Sequence, residues 1–227
     1  IFFDLDDNSK KNINLPHMLV EKGKWEKIVS QMGISNNDRI VVYDNSDVIS
    51  SCRCWFNFIY FGHDPKLVHV LNGGLKKWIK ENREITKEIP KTHESNYKGI
   101  EKEEFVKTKK SIDQNLDIQS FKIIDARSKE RFEGKVSEPR KGVRSGKIKN
   151  SFCIPFNYCL NEDKTFKNKE DLKIIFQTCI KNINEKNIVF SCGSGVTACV
   201  LALAYSLIND KYLPCIYYGS WAEYGLI

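Results

Sequence analysis

The chain has 227 residues, 41% hydrophobic and 29% charged, with 36 Lys and Arg against 29 Asp and Glu for a net charge of +7. That length suits one large domain or two small ones, and that composition points to a packed core rather than disorder. No apolar run approaches the roughly 20 residues needed to span a bilayer as a helix, so no membrane association is expected.

The basic excess comes from scattered lysines, as at Lys76-Lys77 and Lys107-Lys109-Lys110, and reads as a solvated surface. No aromatic-plus-basic signature accompanies it, so direct nucleic-acid binding is not expected. The eight cysteines form no CxxC pair and no Cys/His quartet at zinc spacing, so neither a metal site nor a cofactor is expected. A chain of this size needs no disulfide framework, and free thiols in a reducing compartment are the simpler reading.

In chain order, residues 1–7 form a strand-like apolar start running into acids. A chain that opens inside such a run is expected to lack its natural N-terminus and any targeting peptide. Residues 8–14 read as a loop. Apolar positions at three-to-four spacing predict helices over 25–32, 52–61, 75–82, 169–181 and 198–208. Short β-rich runs predict strands over 40–43, 68–71, 122–125, 188–191 and 215–218. Residues 84–96, polar and containing Pro90, form the expected linker, and residues 135–150 read as a Lys- and Gly-rich loop. Alternation of strands and helices argues for an α/β fold with a mainly parallel sheet.

The order of features repeats. Phe2-Phe3-Asp4-Leu5-Asp6 precedes a helix, a strand over 40–43 and Asp44; Phe152-Cys153-Ile154-Pro155-Phe156-Asn157 precedes a helix, a strand over 188–191 and Cys192. A long apolar helix follows each, then a strand ending at Gly73-Gly74 or at Gly219. Four matches in order argue for duplication. The domains are expected at 1–95 and 96–227, the first copy incomplete at its N-terminus because the early strand over 123–127 has no counterpart ahead of Ile1.

Ser191-Cys192-Gly193-Ser194-Gly195-Val196-Thr197-Ala198 follows a buried-looking strand and opens a helix. Two glycines within four residues allow a tight turn whose amides converge, and a helix N-terminus adds to the same field. Such a site stabilises a thiolate, the nucleophilic form of cysteine. A free cysteine is ordinarily a small buried hydrophobe, and the other seven fit that description. Cys179 and Cys199 are expected on helices in the core, and Cys153, Cys159 and Cys215 lie in apolar contexts. The first copy carries Asp44 where the second carries Cys192, so one nucleophile per chain is expected.

These residues resemble the two-domain rhodanese family, in particular the 3-mercaptopyruvate sulfurtransferases, over nearly the whole chain from Phe2 to Trp221. The segment Cys192-Gly193-Ser194-Gly195-Val196-Thr197 is similar to the mercaptopyruvate-type loop, which implies that all six residues form the substrate cradle. Thiosulfate-using relatives carry a basic pair after the cysteine, where this chain has Gly193 and Ser194. The resemblance implies that Arg131 and Arg140 hold the carboxylate and keto oxygen of the donor, a task suited to the guanidinium fork. Glu130, Glu133 and Glu138 are expected to meet these arginines only in weak surface ion pairs. It also implies that Asp6 and His17 work with Ser194 in proton handling, while His63 and His69 are structural and His93 sits in the linker. Lys135-Val136-Ser137 departs from the family's Thr-Glu-Pro, and Lys147-Ile148-Lys149-Asn150 from its His-Ile-Pro-Gly.

The implied fold is two tandem rhodanese-like domains, each a mainly parallel sheet flanked by helices. The implied activity is transfer of sulfur from 3-mercaptopyruvate through a Cys192 persulfide to a thiol, thioredoxin or cyanide, with release of pyruvate. The implied protein is a monomer in the cytoplasm or mitochondrion, with a sulfur-relay protein as a further candidate partner. Thiosulfate as donor and a relay towards tRNA thiolation are the alternatives. A silent binding module and a cysteine phosphatase are the rivals from other classes; the second lacks the arginine it needs, since Ala198 stands at that position.

Overall fold

A computed structural model describes residues 1–11 and 13–227, and Asn12, within the expected loop over 8–14, lies outside the described residues. The chain divides into two compact units, Ile1–Glu103 and Glu104–Ile227. Among the described residues no helix is long and apolar enough to cross a membrane.

The first unit contains helix α1 (Lys22–Gln31), strand β1 (Ile40–Val42), helix α2 (Ser51–Tyr60), strand β2 (Val68–Val70) and helix α3 (Gly74–Lys80). β1 and β2 pair in parallel, Ile40 opposite Val68 and Val42 opposite Val70. Every residue of α2 is buried, as its nearly continuous apolar sequence requires. α1 buries only one stripe, Trp25 and Val29 at i and i+4. Trp25 stacks on Phe61 at a centroid distance of 4.7 Å and meets Phe58 edge-on at 5.0 Å, which makes it the centre of this core.

Residues 1–7 do not form the strand their apolar start suggests. The Asp4 carboxylate accepts the Asp7 N–H at 2.9 Å and the Asp4 carbonyl accepts the Asn8 N–H at 3.0 Å, so the segment closes a turn. A short acidic side chain that bonds to nearby backbone competes with extended structure, and here it wins.

The second unit is a five-stranded, wholly parallel sheet. Its strands are β3 (Val106–Lys107), β4 (Lys122–Asp125), β5 (Phe152–Cys153), β6 (Ile188–Ser191) and β7 (Ile216–Tyr217), in the order β3-β7-β6-β4-β5. Its helices are α4 (Lys109–Ile118), α5 (Lys129–Phe132), α6 (Lys169–Gln177), α7 (Ala198–Ser206) and α8 (Ser220–Tyr224). Thr108, Ser128 and Asn168 cap α4, α5 and α6 by accepting N–H bonds from Ser111, Arg131 and Asp171. The missed helix α4 is mostly polar, with Ile112 and Leu116 as its inward stripe, so its period is faint in sequence.

Side chains alternate across the sheet as the strand period dictates. Ile123, Val189 and Tyr217 pack with Ile112 and Trp221 on one face. On the other, Phe190 meets Phe176 and Tyr205, both with ring centroids at 6.1 Å. β4 and β6 lie side by side in the middle, so their C-terminal ends, Asp125 and Ser191, open onto the same edge. That edge is where open parallel sheets place their ligands. Trp25→Ala should cost the first unit about 3–5 kcal/mol, the usual loss for a fully buried Trp, read as a lower denaturant midpoint.

Candidate active site

Cys192 follows β6 directly and is 2% exposed. The chain then turns through Gly193, Ser194 and Gly195 before α7 begins at Ala198. Gly195 has φ +78, a conformation side chains resist, and it aims its N–H at Cys192 Sγ at 3.1 Å. The Cys192 sulfur thus faces an amide donor beside a helix start, where a small buried hydrophobe would meet only apolar groups.

The start of α8 clasps this loop from the neighbouring strand. The Trp221 N–H donates to the Cys192 carbonyl at 2.9 Å and the Ala222 N–H to the Gly193 carbonyl at 2.8 Å. The Cys192 N–H donates to Ser220 Oγ at 3.1 Å. Neither Ser220 nor Trp221 was picked out by sequence as anything beyond the end of the family resemblance.

The arginines approach from the segment after β4. A Cβ placed on Gly193 would lie 3.2 Å from Arg131 Nη2 and 3.6 Å from Arg140 Nη1, so both guanidinium groups flank the residue beside the sulfur. Arg140 Nη2 also donates to Ser194 Oγ at 3.3 Å. A Cβ at 193 would press on Arg131, while its approach to Arg140 is an ordinary contact. The structure thus gathers Cys192, Gly193, Ser194, Gly195, Arg131 and Arg140 in one place, with Val196 and Thr197 completing the turn into α7.

Glu138 corrects one expectation. Its side chain is only 3% exposed, and it accepts from Arg127 Nη1 at 2.8 Å and Arg131 Nη2 at 2.5 Å. It is a buried carboxylate joining two guanidinium groups, not a surface partner. Arg127, 1% exposed, also grips Asp125 at 2.8 Å and the Gly146 carbonyl at 2.8 Å, and lies 4.5 Å above the Trp221 ring. Burial works against the Arg127 charge, yet Asp125 and Glu138 outweigh it and leave its pKa raised. A sequence signal existed: Asp125 and Arg127 stand two apart at the end of a core strand, where isolated charges are rare.

In the first unit, His17 Nε2 lies 2.9 Å from Asp6 Oδ1, so these two candidates form a pair. His17 has φ +58, and its carbonyl accepts from the buried Arg53 at 2.6 Å. His63 is buried with its ring nitrogen 2.9 Å from the Asp38 carbonyl, as a structural histidine should be, whereas His69 is exposed on β2. Asp44 occupies the place corresponding to Cys192. Its carboxylate accepts the Ser50 N–H at 2.9 Å, the Ser46 N–H at 3.3 Å and both serine hydroxyls.

All eight cysteines are free. Burial pushes the thiols of Cys54, Cys153, Cys159 and Cys215 up to about 12, which keeps them protonated near neutrality. Cys199 lies on α7 in the core as expected, but Cys179 sits just past the end of α6 and is half-buried.

Parallel-sheet units in tandem, one bearing a strand–cysteine–glycine loop and the other an aspartate in its place, define the class as rhodanese-like. The rhodanese-like domain model matches residues 10–81 and 108–225, and the chain belongs to that family. It is 35% identical to a thiosulfate/3-mercaptopyruvate sulfurtransferase, mitochondrial, of Arabidopsis thaliana over 99% of its own length and 64% of the relative's. It is 34% identical to the 3-mercaptopyruvate sulfurtransferase of Mus musculus, covering 98% of this chain and 74% of that one. Among solved structures, the Tum1 protein from Saccharomyces cerevisiae matches with a TM-score of 0.87 at 26% identity, over 99% of this chain and 78% of that one. SseA from Escherichia coli, described as a 3-mercaptopyruvate sulfotransferase, matches at 0.84 and 27% identity, over 97% and 81%.

Glu138→Gln should destabilise the second unit by about 3–5 kcal/mol, because it leaves two guanidinium groups short of their shared anion; urea unfolding measures it. Alkylation of the folded protein at neutral pH should spare Cys54, Cys159 and Cys215, and mass spectrometry of the labelled peptides checks this.

Proposed function

We propose that this protein is a sulfurtransferase that takes sulfur from 3-mercaptopyruvate onto Cys192 and passes it to a thiol acceptor, releasing pyruvate. The observation that carries the reading is the pair of guanidinium groups, Arg131 and Arg140, flanking Gly193 beside the amide-bound Cys192 sulfur. One planar carboxylate next to one keto oxygen is the anion such a pair suits, and the forks hold the donor while its sulfur meets the nucleophile.

The reaction balances in two steps. The Cys192 thiolate attacks the donor sulfur; an S–S bond forms, the C–S bond breaks, and its electron pair leaves on carbon as the enolate of pyruvate. The enolate takes up one proton. An acceptor thiolate then attacks the outer sulfur of the persulfide, and the Cys192 thiolate departs. The Ser194 hydroxyl, held by Arg140, is suited to deliver the proton. A role for the His17–Asp6 pair in supplying it is part of this proposal and rests on the resemblance together with their mutual contact. Thioredoxin, another thiol or a relay protein is the proposed acceptor; of the two proposed compartments, cytoplasm and mitochondrion, the mitochondrial Arabidopsis relative supports the second.

Thiosulfate is the second reading, favoured by relatives such as the thiosulfate sulfurtransferase of Rattus norvegicus at 34% identity over 98% of this chain. Against it stand Gly193 and Ser194, which bring no extra positive charge for a dianion.

Pyruvate release from 3-mercaptopyruvate should exceed thiocyanate formation from thiosulfate and cyanide, and Cys192→Ser should abolish both while leaving the circular dichroism spectrum unchanged. A preference for thiosulfate would overturn the donor assignment, and retained turnover in Cys192→Ser would overturn the persulfide. Arg140→Ala should raise the donor KM and lower kcat/KM by roughly 10²-fold, as loss of a charged, bidentate contact does.

A further inference from the structure

We infer that Ser220 is a positioning residue for the Cys192 loop, an inference that rests on the sulfur-transfer reading of that loop and names the residue that aims it. Ser220 is fully buried and takes φ +50, in the left-handed region that residues bearing a Cβ avoid. Its hydroxyl donates to the Tyr217 carbonyl at 2.7 Å and accepts the Cys192 N–H at 3.1 Å. One side chain therefore ties the last residue of β7 to the backbone of the nucleophile.

The other copy shows why this serine is more than a turn residue. In the first unit the corresponding left-handed residue is Gly74, at φ +59, preceded by a second left-handed glycine, Gly73 at φ +89, where the second unit has Gly219 at φ −69; the next residue, Leu75, donates its N–H to the Asp44 carbonyl at 3.0 Å. In the second unit Ser220 makes the turn, and Trp221 donates to the Cys192 carbonyl at 2.9 Å. A left-handed residue followed by an amide that reaches the carbonyl is common to both, and glycine adopts that angle without strain. What serine adds is the hydroxyl, and the hydroxyl is spent on the cysteine amide.

That bond has a geometric consequence for the sulfur. With the Cys192 N–H turned towards Ser220 and its carbonyl towards Trp221, both polar groups of the peptide are committed to the α8 side. The Cys192 side chain is then fixed towards the Gly195 N–H, which reaches Sγ at 3.1 Å. Without the hydroxyl the carbonyl bonds from Trp221 and Ala222 remain but the Cys192 amide is released, so the strand end of the loop can shift about them. The sulfur loses its aim while Arg131, held by Glu138 on a different segment, keeps its own.

The test is Ser220→Gly, which restores the residue used in the first unit and so keeps the turn; Ser220→Ala, which keeps the Cβ, is the second variant. At saturating 3-mercaptopyruvate, pyruvate release should fall roughly tenfold or more in both, since small misplacements of reacting groups cost that much. The donor KM should change by less than turnover falls, because Arg131 stays held by Glu138 off the loop. Hydrogen exchange should quicken in the peptide covering residues 188–195. Turnover in Ser220→Gly within about twofold of the parent would overturn the inference, because a merely structural serine is replaced by glycine without kinetic loss. If the parent itself transfers no sulfur from any donor, the functional reading fails separately, and exchange then decides: unchanged exchange in Ser220→Gly overturns the anchor, and faster exchange supports it.

Discussion

The Arg127 guanidinium is the fixed point from which the second unit's site is built. It leaves the end of β4 fully buried, and a buried cation without anions around it would unfold the segment that carries it. Asp125 and Glu138 supply those anions, the Gly146 carbonyl takes another proton, and the Trp221 ring covers its face. Each partner belongs to a different part of the site. Asp125 ends the strand beside β6, Glu138 steadies Arg131, Gly146 lies in the loop that returns to β5, and Trp221 clasps the cysteine carbonyl. One desolvated charge thus obliges four segments to meet.

This arrangement separates two tasks that a sulfurtransferase must perform in one small volume. The nucleophile needs a field of amides, which the Gly195 turn and α8 provide through backbone alone. The donor needs fixed cations near that field, and cations on flexible side chains would otherwise collapse onto the thiolate. Glu138 holds Arg131 by two bonds and Ser194 holds Arg140 by one. Restrained in this way, the guanidinium groups stand ready for an anion without paying rotamer entropy when it arrives.

Much of this was legible in the sequence, for definite reasons. The strand over 188–191 and helix over 198–208 are so uniformly apolar that tertiary context had nothing to override, and Cys192 at their junction followed. The strand-like start at residues 1–7 misled because the Asp4 carboxylate and carbonyl bond locally to Asp7 and Asn8, a short-range competition that apolar patterning does not register. Glu138 misled in a different way. A carboxylate among lysines in a polar stretch reads as solvated, and only the chain's return past Arg127 buries it. Ser220 carried no sequence signal at all, since its importance lies in a backbone angle and in two partners, one of them 28 residues away.

The first unit shows which part of the design is backbone and which is chemistry. It keeps the parallel strand pair, the left-handed turn and the amide that reaches the carbonyl of residue 44, so the clasp does not depend on cysteine. Its loop still converges donors just beyond the strand, and Asp44 answers them with a carboxylate bonded to Ser46 and Ser50. A ring of donors at the end of a buried strand demands a negative group, whichever residue supplies it. An aspartate meets that demand permanently and inertly; on the proposed reading, a cysteine meets it with a group that can also attack sulfur. On that reading, what makes the shared clasp reactive is the side chain at one position, together with the serine and arginines that aim it.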